Sequence, residues 1–180
     1  MVIEETYLKG CFVIMPKVFE DERGYFFESF NQNVFEKETG TKVNFVQDNQ
    51  SKSSKGVLRG LHFQTGDYAQ AKLVQVVKGK VLDVCVDVRK ESLTFGEHFS
   101  LILDDKNRKQ LYIPRGFAHG FVVLEDNTIF SYKCDNFYNK ASESGIIYND
   151  ETLKIDWNFS EDKLIISEKD KLLPTLKNLF

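Results

Sequence analysis

Residues 81–88 read Val-Leu-Asp-Val-Cys-Val-Asp-Val, and this run constrains the fold more than any other. Its period of two is that of a β-strand. Leu82, Val84, Val86 and Val88 would line one face, and Asp83 and Asp87 would flank Cys85 on the other. Residues 72–77, Lys-Leu-Val-Gln-Val-Val, precede this run across Lys78-Gly79-Lys80. Glycine supplies the backbone freedom of a tight turn, so the two segments are expected to form a hairpin. Further strands are expected at 11–15, 25–30, 44–48, 57–63, 98–103, 110–113, 118–124 and 128–134. The chain carries 16 Phe and 7 Tyr, residue types that favour the pleated surface of a sheet. Many short strands separated by turn residues predict a mainly β fold, an antiparallel barrel or a two-sheet jelly roll.

Helical signals are few. Residues 31–39 carry a helical stretch ending at Gly40, a suitable C-cap, and a short helix is expected over 150–155. Residues 161–180 are polar and mixed. The region after about 135 is expected to pack on the outside of the barrel or across its mouth. The length of 180 residues suits one domain, residues 1–180.

Bulk properties exclude several classes. A net charge of −3 argues against a general nucleic-acid binder. Cys11, Cys85 and Cys134 form neither a Cys-x-x-Cys pair nor a zinc pattern, and their odd number suits a reducing compartment. The first residues show no basic and apolar leader pattern, and no apolar run has the roughly 18 residues needed to span a bilayer. A cytoplasmic protein is expected.

The chemistry-bearing residues cluster in four stretches: 47–72, 113–121, Tyr132-Lys133 and Ser167-Glu-Lys-Asp170. His62, Arg59 and Lys72 stand within apolar strand sequence, where charges need partners. Such a cluster suits an anionic substrate with a polarised carbonyl. Gln64 stands two residues after His62, so there is no His-x-His pair, and His62, His98 and His119 never fall at ligand spacing. No metal site is expected. Gly-x-Gly-x-x-Gly, the P-loop and Gly-x-Ser-x-Gly are all absent, which leaves acid–base chemistry by His, Tyr, Lys and Asp.

Taken in order, the motifs resemble a known family. They are Phe19-x-Asp21-x-Arg23-Gly24-x-Phe26-x-Glu28, Gln47-Asp48-Asn49, Leu58-Arg-Gly-Leu-His-Phe-Gln64, Lys72-Leu-Val, Pro114-x-Gly116-Phe-Ala-His-Gly-Phe121 and Ser167-x-Lys169-Asp170. The pattern is similar to the dTDP-4-dehydrorhamnose 3,5-epimerase family. The resemblance implies a cupin-type jelly roll with a few short helices, a homodimer with its interface near residues 1–30, and no cofactor. It implies conversion of dTDP-4-dehydro-6-deoxy-D-glucose to dTDP-4-dehydro-L-rhamnose, on the route to dTDP-L-rhamnose for cell-surface polysaccharide such as O-antigen. By motif position His62 matches the base, Asp170 its carboxylate partner, Tyr132 the acid and Lys72 the residue beside the sugar ketone. Arg23, Glu28, Gln47, Asn49, Arg59, His119, Glu143 and Lys169 match substrate-binding positions, and Tyr138 the aromatic that stacks on thymine. Arg23 and Glu28 are expected to act across the dimer interface.

These residue types suit the reaction. A proton beside a ketone is weakly acidic, so a base and stabilisation of the enolate oxygen are both needed. Neutral imidazole accepts the proton, and a carboxylate on its other nitrogen stabilises the imidazolium. An ammonium ion meets the charge on the oxygen. Inversion then needs an acid on the opposite face. Without the resemblance, Tyr132 reads as a core aromatic, Tyr138 as a loop aromatic and His119 as a turn residue. Epimerisation at one carbon, ketoisomerisation and non-catalytic sugar-nucleotide binding are the competing readings; tyrosine at 132 and the full acid–base set favour the double epimerase. One tension stands in the strand at 57–63: strict alternation puts Arg59 and His62 on opposite faces. A bulge at Gly60 would bring both to one site, or Arg59 would serve a neighbouring subunit.

Overall fold

The computed structural model describes residues 1–179. In chain order its elements are β1 (Val2–Glu5), β2 (Phe12–Met15), β3 (Val18–Asp21), β4 (Gly24–Phe27), α1 (Gln32–Thr39), β5 (Gln47–Ser53), β6 (Val57–Gln64), β7 (Lys72–Lys78) and β8 (Lys80–Asp87). They continue with β9 (His98–Asp104), β10 (Gln110–Ile113), β11 (Phe117–Val123), β12 (Thr128–Cys134), β13 (Glu143–Gly145), β14 (Ile165–Ile166), α2 (Glu168–Lys171) and α3 (Leu176–Leu179). Two main sheets face each other. The first runs β1-β2-β10-β7-β12-β5 and the second β13-β6-β11-β8-β9, with β14 added to β6. This is a cupin-like jelly roll. Among the described residues β3 and β4 pair only with each other.

The space between the sheets is filled from both sides, by Val74, Val76, Leu111, Ile113 and Phe130 of the first and Val81, Cys85, Leu103, Phe117 and Phe121 of the second. The alternation of residues 81–88 has a consequence that sequence alone does not reveal. Its aliphatic face, Leu82, Val84, Val86 and Val88, points away from the sheet interface and packs under Ile146, Leu153, Trp157 and Leu176 of the C-terminal segment. Cys85 on the other face joins the inter-sheet core. The outer face of the first sheet is covered by α1, whose Phe35 packs on Phe12 and Tyr112.

The helix expected over 31–39 forms as α1, and Gly40 ends it in the left-handed conformation, φ 67°. Asn31, expected as its first residue, lies just outside and caps it by accepting from the Val34 amide at 3.1 Å. Other local expectations do not hold. β7 and β8 form no hairpin: β7 pairs with β10 and β12, β8 with β9 and β11. Gly79 (φ 86°) is the corner where the chain leaves one sheet for the other, and a Cβ there would lie 2.3 Å from Thr128 Oγ1. A glycine between two strands signals a change of direction, but not which sheet receives the second strand. The strand expected at 44–48 lies at Gln47–Ser53. It is polar on both faces, so hydrophobic periodicity does not locate it. No helix forms over 150–155. The buried Asp150 carboxylate instead accepts from the Thr152 and Leu153 amides at 2.8 and 3.1 Å and from Leu176 N at 2.7 Å, making a turn that anchors α3. Among the described residues no helix is long and apolar enough to cross a membrane.

Candidate active site

A cleft of about 660 Å³ opens between the sheets, lined by Arg59, His62 and His119 of the second and Asn49, Lys72 and Tyr132 of the first. A recess of about 290 Å³ continues from it toward Gln47, Gln64, Tyr138 and Glu143. β5 explains its own polarity here. Gln47, Asn49, Ser51 and Ser53 are the less exposed residues of the strand, while Asp48, Gln50 and Lys52 are exposed. A strand that walls a polar site needs no apolar face.

The tension at Arg59 resolves through a bulge. On β6, His62 pairs with His119 and Arg59 with Phe121, so two β6 residues between these pairs oppose the single residue Gly120 of β11. Gly60 takes φ 124°, and a Cβ there would meet Gly120 Cα at 2.5 Å and His119 O at 2.7 Å. Only glycine fits both the conformation and the close approach. Arg59 and His62 therefore line the same cleft. Arg59 donates to Ser53 Oγ from Nε and Nη2, at 3.3 and 3.1 Å.

His62 and Asp170 are brought together from 108 positions apart. β14 runs parallel to the start of β6, pairing Ile165 with Val57 and Ile166 with Leu58. Ser167 then caps α2 by accepting from the Asp170 amide at 3.1 Å. That cap turns Asp170 inward, where Oδ1 lies 2.8 Å from His62 Nε2 and Oδ2 accepts from Gly60 N at 3.4 Å. Burial alone would raise the Asp170 pKa, but the His62 ring and the Gly60 and Ser167 bonds outweigh it and hold the carboxyl below its ordinary range. An ionised carboxylate only accepts, so Nε2 is the donor, and in the neutral ring this leaves the lone pair on Nδ1.

The opposite wall carries Lys72 and Tyr132, with Lys72 Nζ 5.9 Å from the Tyr132 ring centroid. Burial pushes the Lys72 ammonium below the ordinary lysine range, partly offset by Cys134, Asp83 and Glu143. Burial also pushes the Tyr132 phenol up, Cys134 adds to this, and Arg59 opposes it. Tyr132 therefore keeps its proton at neutral pH.

The recess is a chain of polar contacts. Lys169 Nζ lies 2.7 Å from Glu143 Oε2, which also accepts from Tyr138 Oη at 3.0 Å. Lys169 holds the Glu143 carboxyl below its usual range. The Tyr138 amide donates to Gln47 Oε1, and Gln47 Nε2 to Asn49 Oδ1, both at 3.1 Å.

Eleven of the 13 residues singled out from the sequence thus line or border one cleft. Arg23 and Glu28 do not. Arg23 sits exposed in the β3–β4 turn against Asp21, and Glu28 accepts from Asn31 Nδ2 at 3.1 Å. Sequence reasoning missed Asp83, whose Oδ2 lies 2.8 Å from His119 Nε2 and which is fully buried. An acidic residue inside an apolar strand is the signal that was available. Among the described residues no three His, Cys, Asp or Glu side chains converge as metal ligands would.

The sequence profile of the dTDP-4-dehydrorhamnose 3,5-epimerase family matches residues 5–178. The dTDP-4-dehydrorhamnose 3,5-epimerase of Salmonella typhimurium is 52% identical over 176 residues, spanning 98% of this chain and 96% of that protein. The crystal structure of the Elizabethkingia anophelis dTDP-4-dehydrorhamnose 3,5-epimerase superposes with a TM-score of 0.96 at 56% identity, covering 99% of this chain and 97% of that one. The Legionella pneumophila dTDP-6-deoxy-D-glucose-3,5-epimerase, crystallised with dTDP-4-keto-L-rhamnose, superposes with a TM-score of 0.95 at 45% identity, covering 99% and 94%. Alike in sequence, in fold and in extent, this chain belongs to the dTDP-4-dehydrorhamnose 3,5-epimerase family.

Proposed function

We propose that this protein inverts C3 and C5 of dTDP-4-dehydro-6-deoxy-D-glucose to give dTDP-4-dehydro-L-rhamnose. The observation that carries the reading is the pairing of opposed walls: His62 of one sheet with its partner Asp170 on one side, Tyr132 and Lys72 of the other sheet facing them, across a single cleft. His62 Nδ1 takes the proton from the carbon beside the C4 ketone. The electron pair moves onto the C4 oxygen, where the Lys72 ammonium meets the developing charge. Tyr132 gives its phenolic proton to the same carbon from the other face, which inverts it. Proton exchange with solvent then restores neutral imidazole and phenol before the second carbon reacts. General acid–base steps of this kind contribute about 10²–10⁴-fold each.

The recess around Tyr138, Glu143, Gln47 and Lys169 receives the nucleotide. Arg23 and Glu28 reach it from a second copy of the chain. In support, neither lines the cleft of its own chain, and their hairpin exposes Phe19, Tyr25 and Phe26. The working unit is therefore a homodimer, cytoplasmic, feeding dTDP-L-rhamnose synthesis. Incubation of the substrate in deuterated water tests the central claim. Carbon-bound deuterium is expected at both C3 and C5; incorporation at one carbon alone overturns the double epimerisation.

A further inference from the structure

Among the described residues the β3–β4 hairpin pairs with no other strand, yet it carries Arg23 and leads directly to Glu28. One side chain from elsewhere in the fold touches both of its strands. Arg108 lies in the connection between β9 and β10. Its guanidinium carbon sits 3.9 Å from the Tyr25 ring centroid, and Nη1 lies 3.6 Å from Glu20 Oε1. Glu20 and Tyr25 are cross-strand partners, so Arg108 touches both strands at one register position. The side chain is 16% exposed, and its Nε is buried with no acceptor among the described residues.

The turn that carries Arg108 is tied by its own hydrogen bonds. Asp104 Oδ1 accepts from the Lys106 and Asn107 amides at 3.0 and 2.6 Å, and Asn107 Oδ1 accepts from Lys109 N at 2.9 Å. These bonds hold Arg108 at φ 50°, and Nη1 donates to Lys106 O at 3.3 Å. Directly after the turn, Gln110–Tyr112 pair with β2, the strand that leads into β3. A planar cation on a hydrogen-bonded turn, held over an aromatic ring, restrains the ring's position more than a flexible ammonium does.

We propose that Arg108 is a positioning residue: it holds the β3–β4 hairpin in the pose from which Arg23 reaches the nucleotide recess of a second copy. This rests on the cross-subunit reading given above. Arg108 touches no reacting atom, so its loss acts on substrate capture and leaves proton transfer at His62 and Tyr132 alone.

The test is steady-state kinetics on the intact dimer with the 4-keto sugar nucleotide. Arg108→Ala is expected to raise KM about fivefold, in the range set by a partly desolvated cation–π contact, with kcat within twofold of the parent. Arg108→Lys should fall between the two. Mixed dimers of an Arg108→Ala chain with a His62→Ala chain, isolated with two affinity tags, supply the second arm. Their one working site receives the hairpin of the His62→Ala chain, so KM should return to the parent value. An unchanged KM in the Arg108→Ala homodimer, or a kcat that falls with it, overturns the proposal. If Arg23→Ala raises KM in the same assay while Arg108→Ala does not, the positioning role alone fails and the hairpin's part in binding stands. If the mixed dimer keeps the raised KM, the hairpin serves its own chain, and the cross-subunit reading fails with the proposal.

Discussion

Replacing Asp170 with Asn isolates the electrostatic part of the proposed mechanism. The amide is nearly isosteric, and its oxygen still accepts from His62 Nε2, so ring orientation and tautomer survive. What disappears is the negative charge 2.8 Å from an imidazole that becomes an imidazolium as the substrate proton transfers. Two unit charges at that separation attract by about 5–6 kcal/mol at an effective dielectric near 20. His62 is 31% exposed, and the neutral bond that remains recovers part of the difference. About 2–3 kcal/mol of transition-state stabilisation is then lost, in line with a hydrogen bond to a charged group. That corresponds to a fall in kcat of about 30- to 150-fold. Deuterium incorporation at C3 and C5, followed by NMR under saturating substrate, reads it directly. Both carbons should slow by the same factor, because one base serves both. Combining Asp170→Asn with His62→Ala should cost no more than His62→Ala alone. Retention of more than half the parent rate by Asp170→Asn would refute the assignment of the carboxylate.

Three further outcomes follow from the geometry. Tyr132→Phe keeps the packing on Phe130 but removes the proton donor, so net inversion should fall about 10²–10⁴-fold while solvent exchange on the His62 face continues; equal losses of both would contradict the two-face scheme. Lys72→Met should abolish turnover and at the same time raise Tm by about 2–4 °C. The sign follows from linkage: burial lowers the folded-state pKa, the unfolded chain binds the proton more readily, and the buried ammonium opposes folding at neutral pH; a lower Tm would refute this. Asp87 is fully buried, and against that burial its bonds to Arg89, Ser92 and Thr94 bring its pKa from 3.8 to about 2. Its contribution, about 2 kcal/mol, is present above pH 3.8 and is lost as pH falls through about 2. Urea titrations at several pH values should therefore show Asp87→Asn less stable than the parent at pH 7, with the gap closing toward pH 2; a constant gap would count against the network.

The cleft residues were legible to different degrees. His62, Lys72 and Tyr132 stand in strands whose periodicity and chemistry are visible locally. Asp170 was legible only through its motif, since nothing near it in sequence hints at an imidazole; the β14–β6 pairing and the Ser167 cap deliver it. Asp83 was visible but unassigned, because a strand pattern tells which residues share a face and not whether that face looks into a cleft. β5 was displaced from its expected place because both of its faces are polar, so no hydrophobic alternation marks it.

By itself the amino-acid sequence determined that the chain is built of short, mostly antiparallel strands, that a helix precedes Gly40 and ends there, and which acid–base groups are present. Period-two alternation and capping chemistry act over a few residues, so they can be read locally. Tertiary structure alone decided that the strands flanking Gly79 part into different sheets, that the aliphatic face of β8 looks outward under the C-terminal segment, and that the Gly60 bulge turns Arg59 and His62 into one cleft. Each of these depends on what covers a surface from far along the chain. Burial is a property of the assembled pair of surfaces, and neither partner encodes it alone.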